Sequence, residues 1–264
     1  RPEIYFGQRT NRHVYVRTRQ EEFNYPQGEN NSVTSYEGTG GIQLGGFLRR
    51  VLIALDRGDL TRLPFSDDVT PESRLLMRRN IVERAATLAP FLTFDSDPYL
   101  VLTADGRLVW MLDGFTTSAS YPYARHYRMN RLRVNYLRNS VKASVDADNG
   151  SVMFYVFDQE DPIIATYQRV FPSLFVAADT MPADLKEHVR YPEVLLEIQA
   201  LVYGLYHMTD PAVFYNREDL WSVATEVAGN APRDQPTPME ANCVLMKLPG
   251  ESSTEFVQML PFTP

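Results

Sequence analysis

The chain has few of the residues and motifs that are typical of several functional classes. The clearest case is cysteine, which occurs once, as Cys243. One thiol cannot form an internal disulfide bond or a cysteine-based metal cluster. Cys243 lies in the apolar run NCVLMKL, which predicts a buried strand and a packed thiol rather than a reactive one. A single cysteine is compatible with cytosolic and with extracytoplasmic proteins, so it leaves the compartment open.

Long apolar runs and an excess of positive charge are also missing. No window approaches the ~18 apolar residues of a membrane-spanning helix, and the best candidate, residues 44–55, is interrupted by Arg49 and Arg50. The formal net charge of -7 disfavours a general nucleic-acid binder, because phosphates must be met by positive charge. The chain begins at Arg1 instead of Met, and we expect it to be cut from a longer protein.

Catalytic motifs are absent as well. The four histidines are isolated and form no HExxH or other metal-ligand spacing, and no G-x-S-x-G segment accompanies them. A glycine-rich stretch, residues 38–46, lacks the spacing of a dinucleotide fingerprint or a P-loop, so a tight structural turn is predicted there. We therefore predict no catalytic residue and no cofactor.

Alternating apolar residues around short turns predict β-hairpins. The clearest spans residues 136–156 with its turn at Asp148-Asn149-Gly150, and others are expected at 99–112 and 243–260. Helices are predicted at 44–57, 70–89, 162–171, 182–189, 192–207 and from Pro211 onward. Hairpins and helices come in blocks without strict alternation. The predicted fold class is therefore α+β, with a mainly antiparallel sheet built from hairpins and several packed helices.

Arginines are concentrated in the segment YPYARHYRMNRLRVNYLRNSVK, where they alternate with tyrosines. Its basic residues are Arg125, Arg128, Arg131, Arg133, Arg138 and Lys142. In an otherwise acidic chain they create a local positive field. The functional hypothesis is binding to an anionic surface; the alternative is a solvated loop that pairs with the protein's own carboxylates.

Aspartates near predicted turns supply the one hypothesis for a metal site. A divalent cation, if one binds, is expected at Asp95, Asp97, Asp113, Asp146 and Asp148. Turn chemistry explains the pairs 95/97 and 146/148 without a metal. The second pair also lacks the further ligands of an EF-hand loop.

Several collinear strings, from about residue 5 to the C-terminus, carry a resemblance to a known family. They include YFGQRTNRHVYV, YEGTGGIQLG, APFLTFDSDPYLV, NYLRNSVKASVDADNGSVMFYV and YHMTDPAVFYNREDLW. On these strings the chain resembles the large bacterial group called uncharacterised protein family 0182. The resemblance implies a multi-pass membrane protein with several transmembrane helices followed by a large extracytoplasmic region. It implies no catalytic roles, since the family has no established activity.

Residues 1–264 are therefore expected to be an extracytoplasmic soluble region at the plasma membrane of a bacterium, with a split into two subdomains near residues 92–98 left open. The leading hypothesis is a non-catalytic binding or scaffolding domain. Its expected partners are other envelope proteins, anionic lipid headgroups or a cell-envelope polymer, and not nucleic acid. Two alternatives remain, an envelope enzyme with metal-assisted hydrolytic activity and a substrate-handling domain of a transporter.

Overall fold

The structure, a computed structural model, describes residues 3–28, 30–60, 63–129, 132–226 and 236–263. The chain divides into two compact units. Unit 1 comprises Arg1–Thr116 and Ser140–His188, and unit 2 comprises Thr117–Asn139 and Val189–Pro264. Residues 92–98, where the sequence left a division open, lie within unit 1.

Most strands and helices are short and come in blocks along the chain. In chain order the strands are β1 (Val14–Val16), β2 (Glu22–Gln27), β3 (Asn30–Thr34), β4 (Ile42–Gln43), β5 (Arg74–Leu76), β6 (Thr93–Phe94), β7 (Tyr99–Leu102), β8 (Leu108–Ser118), β9 (Tyr127–Met129), β10 (Leu132–Val134), β11 (Tyr136–Asp146), β12 (Val152–Val156), β13 (Phe175–Ala177), β14 (Ser222–Val223), β15 (Thr225–Glu226), β16 (Thr237–Pro238), β17 (Asn242–Met246), β18 (Glu255–Met259) and β19 (Phe262–Thr263). The α-helices are α1 (Phe47–Arg57), α2 (Ile81–Leu88), α3 (Pro162–Val170), α4 (Ala183–Lys186), α5 (Glu193–Tyr206) and α6 (Pro211–Asn216).

The main sheet of unit 1 has the strand order β13-β12-β11-β8-β6, and β7 also pairs with β8. The pairs β11–β12, β6–β8 and β7–β8 are antiparallel, whereas β12–β13 is parallel. The apolar side chains of β11 (Val141, Ala143 and Val145) share one core with residues of α2 and α3. The predicted α+β class with a mainly antiparallel sheet is confirmed.

The other face of β11 is polar, yet it is buried too. Side chains alternate between the two faces of a strand, so Ser140, Lys142, Ser144 and Asp146 lie opposite the apolar core. All four are less than one tenth exposed. The polar face of β11 is therefore buried instead of solvated.

The turn between β11 and β12 anchors the N-terminal segment. The Ala147 carbonyl accepts hydrogen bonds from the backbone N–H groups of Tyr5 (2.9 Å) and Phe6 (2.8 Å). A Cβ atom at Gly40 would lie 2.1 Å from the Asn149 carbonyl oxygen, so only glycine fits there. The glycine-rich stretch is therefore a tight packing element, as its sequence predicted.

Helix α1 forms where predicted, but it presents its apolar side chains outward. It ends at Gly58, which adopts φ +74°. Phe47, Leu48, Leu52 and Leu55 are each more than half exposed, and Ala54 is the helix's buried residue. The spacing of apolar residues predicted the helix correctly. It did not predict which side of the helix would pack against the rest of the unit.

The predicted helix over 70–89 is wrong in its first half. Residues Arg74–Leu76 form β5, which pairs with both β1 and β4. The helix begins only at Ile81, where the Asn80 side chain accepts hydrogen bonds from the backbone N–H groups of Val82 and Glu83. Pairing with distant strands overrode the local helical signal in the first half of this range.

Unit 2 contains α5, α6 and several two-stranded pairs. The predicted hairpin over 243–260 is present as β17–β18, but Cys243 is exposed, and the prediction of a packed thiol is wrong. No third strand joins this hairpin in the part of the chain that the structure describes, so its side chains stay open to solvent. The segment GNAPRDQPTP at 229–238, whose glycine and proline content predicts a loop, lies mostly outside the described residues, and its end, Thr237–Pro238, forms β16. Nowhere in the described ranges does a helix have the length and apolar character needed to cross a bilayer.

Candidate functional site

A basic hairpin in unit 2, β9–β10, brings together two of the predicted arginines. Arg128 and Arg133 are directly opposite each other in the antiparallel register, so their side chains leave on the same face. Both are exposed, while Met129 and Val134 on the other face are buried. Two guanidinium groups on one face can donate hydrogen bonds to the same anion. Arg128 also has an interaction partner within the protein.

Arg125 lies two residues before β9 and adds a third positive charge near this hairpin. It is exposed, and its guanidinium carbon lies 5.6 Å from the ring centre of Tyr127. Burial raises the pKa of the Tyr127 hydroxyl, and the nearby Arg125 charge opposes that rise. Tyr123 close by is fully exposed. We call Arg128 and Arg133, with the neighbouring Arg125, the basic face.

The remaining basic candidates differ in position. Arg138 is half-buried on β11 and has a partner of its own. Arg131 lies outside the described residues. Lys142 is buried in the main sheet, where its ammonium group forms an ion pair with Asp113. Lys142 is therefore not part of a surface that could bind anions, and the alternating pattern of β11 is the physical reason for its burial.

The arginines of this segment lie in a stretch of sequence without acidic residues, although Arg128 has an interaction partner in the fold. No Asp or Glu occurs between Asp113 and Asp146 in the chain, whose net charge is nevertheless -7. Salt screens surface charges beyond about 10 Å at moderate ionic strength, so only charges close in space act on this face. The arginines are thus concentrated in an acid-free segment.

The aspartates proposed for a metal are spread over separate turns and strands. Asp95 Oδ1 accepts hydrogen bonds from the N–H groups of Ser96 (2.6 Å) and Asp97 (3.4 Å), which is ordinary turn chemistry. Asp146 Oδ1 accepts from the N–H groups of Asp148 and Asn149, both at 2.9 Å. Among the described residues, no three His, Cys, Asp or Glu side chains are arranged to hold a metal ion.

Asp148 lies in a cavity of about 470 Å³ whose wall also carries Glu3, Glu37 and Asp146. Burial raises the pKa of Asp148, and the charges of these three carboxylates raise it further. The surroundings of Asp148 in this cavity therefore disfavour the ionised form of its carboxyl group.

A second cavity of unit 1, of about 430 Å³, was missed by the sequence reasoning. Its rim carries Arg107, whose Nε donates to Asp105 Oδ2 (2.7 Å) and whose Nη1 donates to Asp146 Oδ2 (3.4 Å). Hydrogen bonds from Thr103 Oγ1 and then from Arg107 lower the pKa of Asp105 to about 2. The signal available in the sequence was the polar alternation Ser140, Lys142, Ser144, Asp146, which is unusual for the centre of a sheet.

Comparison with known proteins finds a family and relatives that match this chain along its full length. Residues 1–264 match the model of the family described as "Uncharacterised protein family (UPF0182)". A UPF0182 protein of Alkaliphilus metalliredigens is 49% identical over 264 residues, covering all of this chain and 27% of that protein. UPF0182 proteins of Pelotomaculum thermopropionicum (46% identical, 28% of its length) and Methanospirillum hungatei (47% identical, 29% of its length) are also matched by the whole chain.

The chain spans less than a third of the length of these relatives. No solved structure matches it. The family match over all 264 residues, together with identities near one half, establishes its membership. The chain belongs to the uncharacterised protein family UPF0182.

Proposed function

We propose that this chain is a non-catalytic binding domain, on the extracytoplasmic side of a membrane protein, that attaches to a surface bearing phosphate groups. The observation that carries the proposal is the cross-strand pair Arg128–Arg133 on β9–β10. The extracytoplasmic location rests on the membrane topology that the family resemblance implies.

The two exposed guanidinium groups of Arg128 and Arg133 leave the same face of the hairpin. A phosphate beside them would accept charge-assisted hydrogen bonds from both. Arginine suits this role because its planar group presents several donors at once. A third arginine, Arg125, adds to the same field.

Exposed apolar and aromatic groups accompany the charges. Tyr121, Tyr123 and Leu132 are all more than two fifths exposed. Tyrosine at a membrane boundary places its ring against the headgroup region while its hydroxyl stays in water. This combination favours lipid headgroups as the source of phosphate; a soluble anionic polymer of the envelope offers the same chemistry without an apolar layer.

Co-sedimentation with vesicles at low salt tests the proposal. Each basic side chain near an anionic bilayer contributes about 1 kcal/mol. The triple variant Arg125→Ser, Arg128→Ser, Arg133→Ser should therefore bind vesicles containing anionic lipid roughly a hundredfold more weakly than the unchanged chain. Binding to a soluble polyphosphate, measured in parallel, distinguishes a bilayer from a free polymer.

The matched control is Arg9→Ser, Arg12→Ser, Arg19→Ser, which removes the same charge from three other exposed arginines. We expect it to change binding by less than about threefold, because only the local field should matter. Equal losses in the two triple variants would reduce the effect to net charge and contradict the proposal. Absence of binding by the unchanged chain would also overturn it.

A further inference from the structure

The 430 Å³ cavity of unit 1 has the make-up of a binding site that is separate from the basic face. Its wall combines the polar face of β11–β12 with the β7–β8 turn and the start of α4. Its volume falls within the range of roughly 300–1,000 Å³ that is usual for small-molecule sites. Two hydroxyl groups on its wall that have no hydrogen-bond partner among the described residues distinguish it from an ordinary surface depression.

Ser144 and Tyr155 line this cavity and are only 6% and 5% exposed. Neither hydroxyl forms a hydrogen bond with any other residue that the structure describes. Neither hydroxyl oxygen is among the fully enclosed side-chain atoms that lack a hydrogen-bond partner, so both remain open to the cavity. A ligand in the cavity could therefore replace water at two hydroxyl groups on one wall.

The strand register places these hydroxyls on the same side of the sheet. Tyr155 is directly opposite Lys142, and Ser144 follows Lys142 by two positions on β11. Ser144 and Tyr155 are therefore diagonal neighbours on one face, with backbones roughly 7–8 Å apart. Two donors at that spacing can contact neighbouring polar groups of one small molecule.

The charges at the rim restrict the kind of ligand. Three carboxylates, those of Asp105, Asp146 and Asp184, surround a single guanidinium, that of Arg107. Arg107 is already engaged with Asp105 and Asp146, and Asp184 Oδ2 accepts a hydrogen bond from the Ala104 N–H (3.0 Å). The surplus of negative charge repels anions, while the carboxylate oxygens retain capacity to accept hydrogen bonds from hydroxyl groups.

Apolar surface completes the wall. Val109, Met153 and Leu185 lie beside the polar groups and offer contact to C–H groups of a ligand. A ligand that matches this mixture is neutral, carries several hydroxyl groups and has an apolar ring face. We propose that the cavity binds a neutral saccharide unit.

The test uses the 264-residue chain with N-acetylglucosamine and glucose as neutral probes and glucose 6-phosphate as the anionic one. Binding is followed by amide chemical shifts in NMR titrations. The neutral sugars should shift the signals of Ala104, Ser144 and Tyr155, and the phosphorylated sugar should bind at least tenfold more weakly than glucose. Ser144→Ala and Tyr155→Phe should each weaken sugar binding by about three- to tenfold, the contribution of one hydrogen bond.

Both substitutions remove a hydroxyl that has no partner among the described residues, so the fold should tolerate them. The control Tyr167→Phe removes a tyrosine hydroxyl from a ring stacked on Phe91, away from the cavity wall, and should leave binding unchanged. Failure of both neutral sugars to bind overturns the proposal. Unchanged sugar binding by the double variant Ser144→Ala, Tyr155→Phe would also overturn it. A preference for the phosphorylated sugar would do the same. None of these results bears on vesicle binding by the basic face.

Discussion

Two hairpins of this protein have similar pairing but opposite surroundings. β11–β12 and β17–β18 each form five antiparallel residue pairs, and both are rich in apolar residues. Val141, Ala143 and Val145 in the first are fully buried, whereas Val244 and Leu245 in the second are 38% and 71% exposed. The same sequence signal therefore produced a central element of a core in one case and an open ribbon in the other.

The difference comes from the neighbours of each hairpin. β11 lies between β8 and β12 in the main sheet, and helices α2 and α3 contribute to the core on its apolar side. Strand propensity reflects a side chain's fit to a pleated surface, and burial depends on what packs against that surface. Three substitutions with counterparts in the second hairpin test this comparison.

The largest effect is expected at the buried ion pair. Lys142→Ala leaves the Asp113 carboxylate buried without its partner ammonium group, which should lower the free energy of unfolding by about 3–5 kcal/mol. Lys247→Ala, beside the open hairpin, should change it by less than about 0.5 kcal/mol. Urea denaturation followed by circular dichroism measures both. A loss below about 1 kcal/mol in Lys142→Ala would mean that water reaches this face of the sheet.

A smaller effect is expected from shortening one apolar side chain in each hairpin. Val145→Ala removes two buried methyl groups and leaves a small cavity, so the free energy of unfolding should fall by about 2 kcal/mol. Val244→Ala removes the same atoms from a partly exposed position and should cost less than about 0.5 kcal/mol. Equal losses in the same denaturation experiment would contradict the contrast in burial.

The smallest effect concerns the turns and depends on pH. The folded state raises the pKa of Asp148 above its unfolded value, so ionisation of this carboxylate opposes folding at neutral pH. Asp148→Asn should therefore increase the free energy of unfolding at pH 7. The gain should shrink as the pH falls through the folded pKa and vanish below the unfolded value of about 3.9.

Glu251→Gln, at an exposed position in the turn of the open hairpin, is the control for removing one carboxylate. It should change the free energy of unfolding at pH 7 by less than about 0.5 kcal/mol. A neutral or negative effect of Asp148→Asn at pH 7 would show that the surrounding carboxylates do not act on Asp148 as described.

Much of the fold could be predicted from local signals. The hairpin turn at Asp148-Asn149-Gly150, the caps Asp161 and Asp210 and the helix stop at Gly58 follow from backbone and capping chemistry, and all are present. The strand at Arg74–Leu76 could not be predicted, because its partners β1 and β4 lie more than 30 residues away in sequence. The outward face of α1 had no local signal at all.

Only part of each candidate site could be predicted from the sequence. Clustered arginines are visible in sequence, but the opposition of Arg128 and Arg133 depends on the register of β9–β10. Lys142 belongs to the same basic string and yet is buried, because one further strand brings it into the main sheet. Ser144 belongs to the polar alternation of β11, which is a sequence signal, whereas Tyr155 gave none that separates it from ordinary strand residues.

The attachment of Tyr5 and Phe6 to the Ala147 carbonyl has a consequence for biosynthesis. These contacts join residues about 140 positions apart, and contacts so distant in sequence form slowly. A ribosome adding 5–20 residues per second needs roughly 7–30 s to advance from residue 6 to residue 147. Throughout that interval the nascent Phe6 lacks its native acceptor, so its buried position can form only after residue 147 has been synthesised.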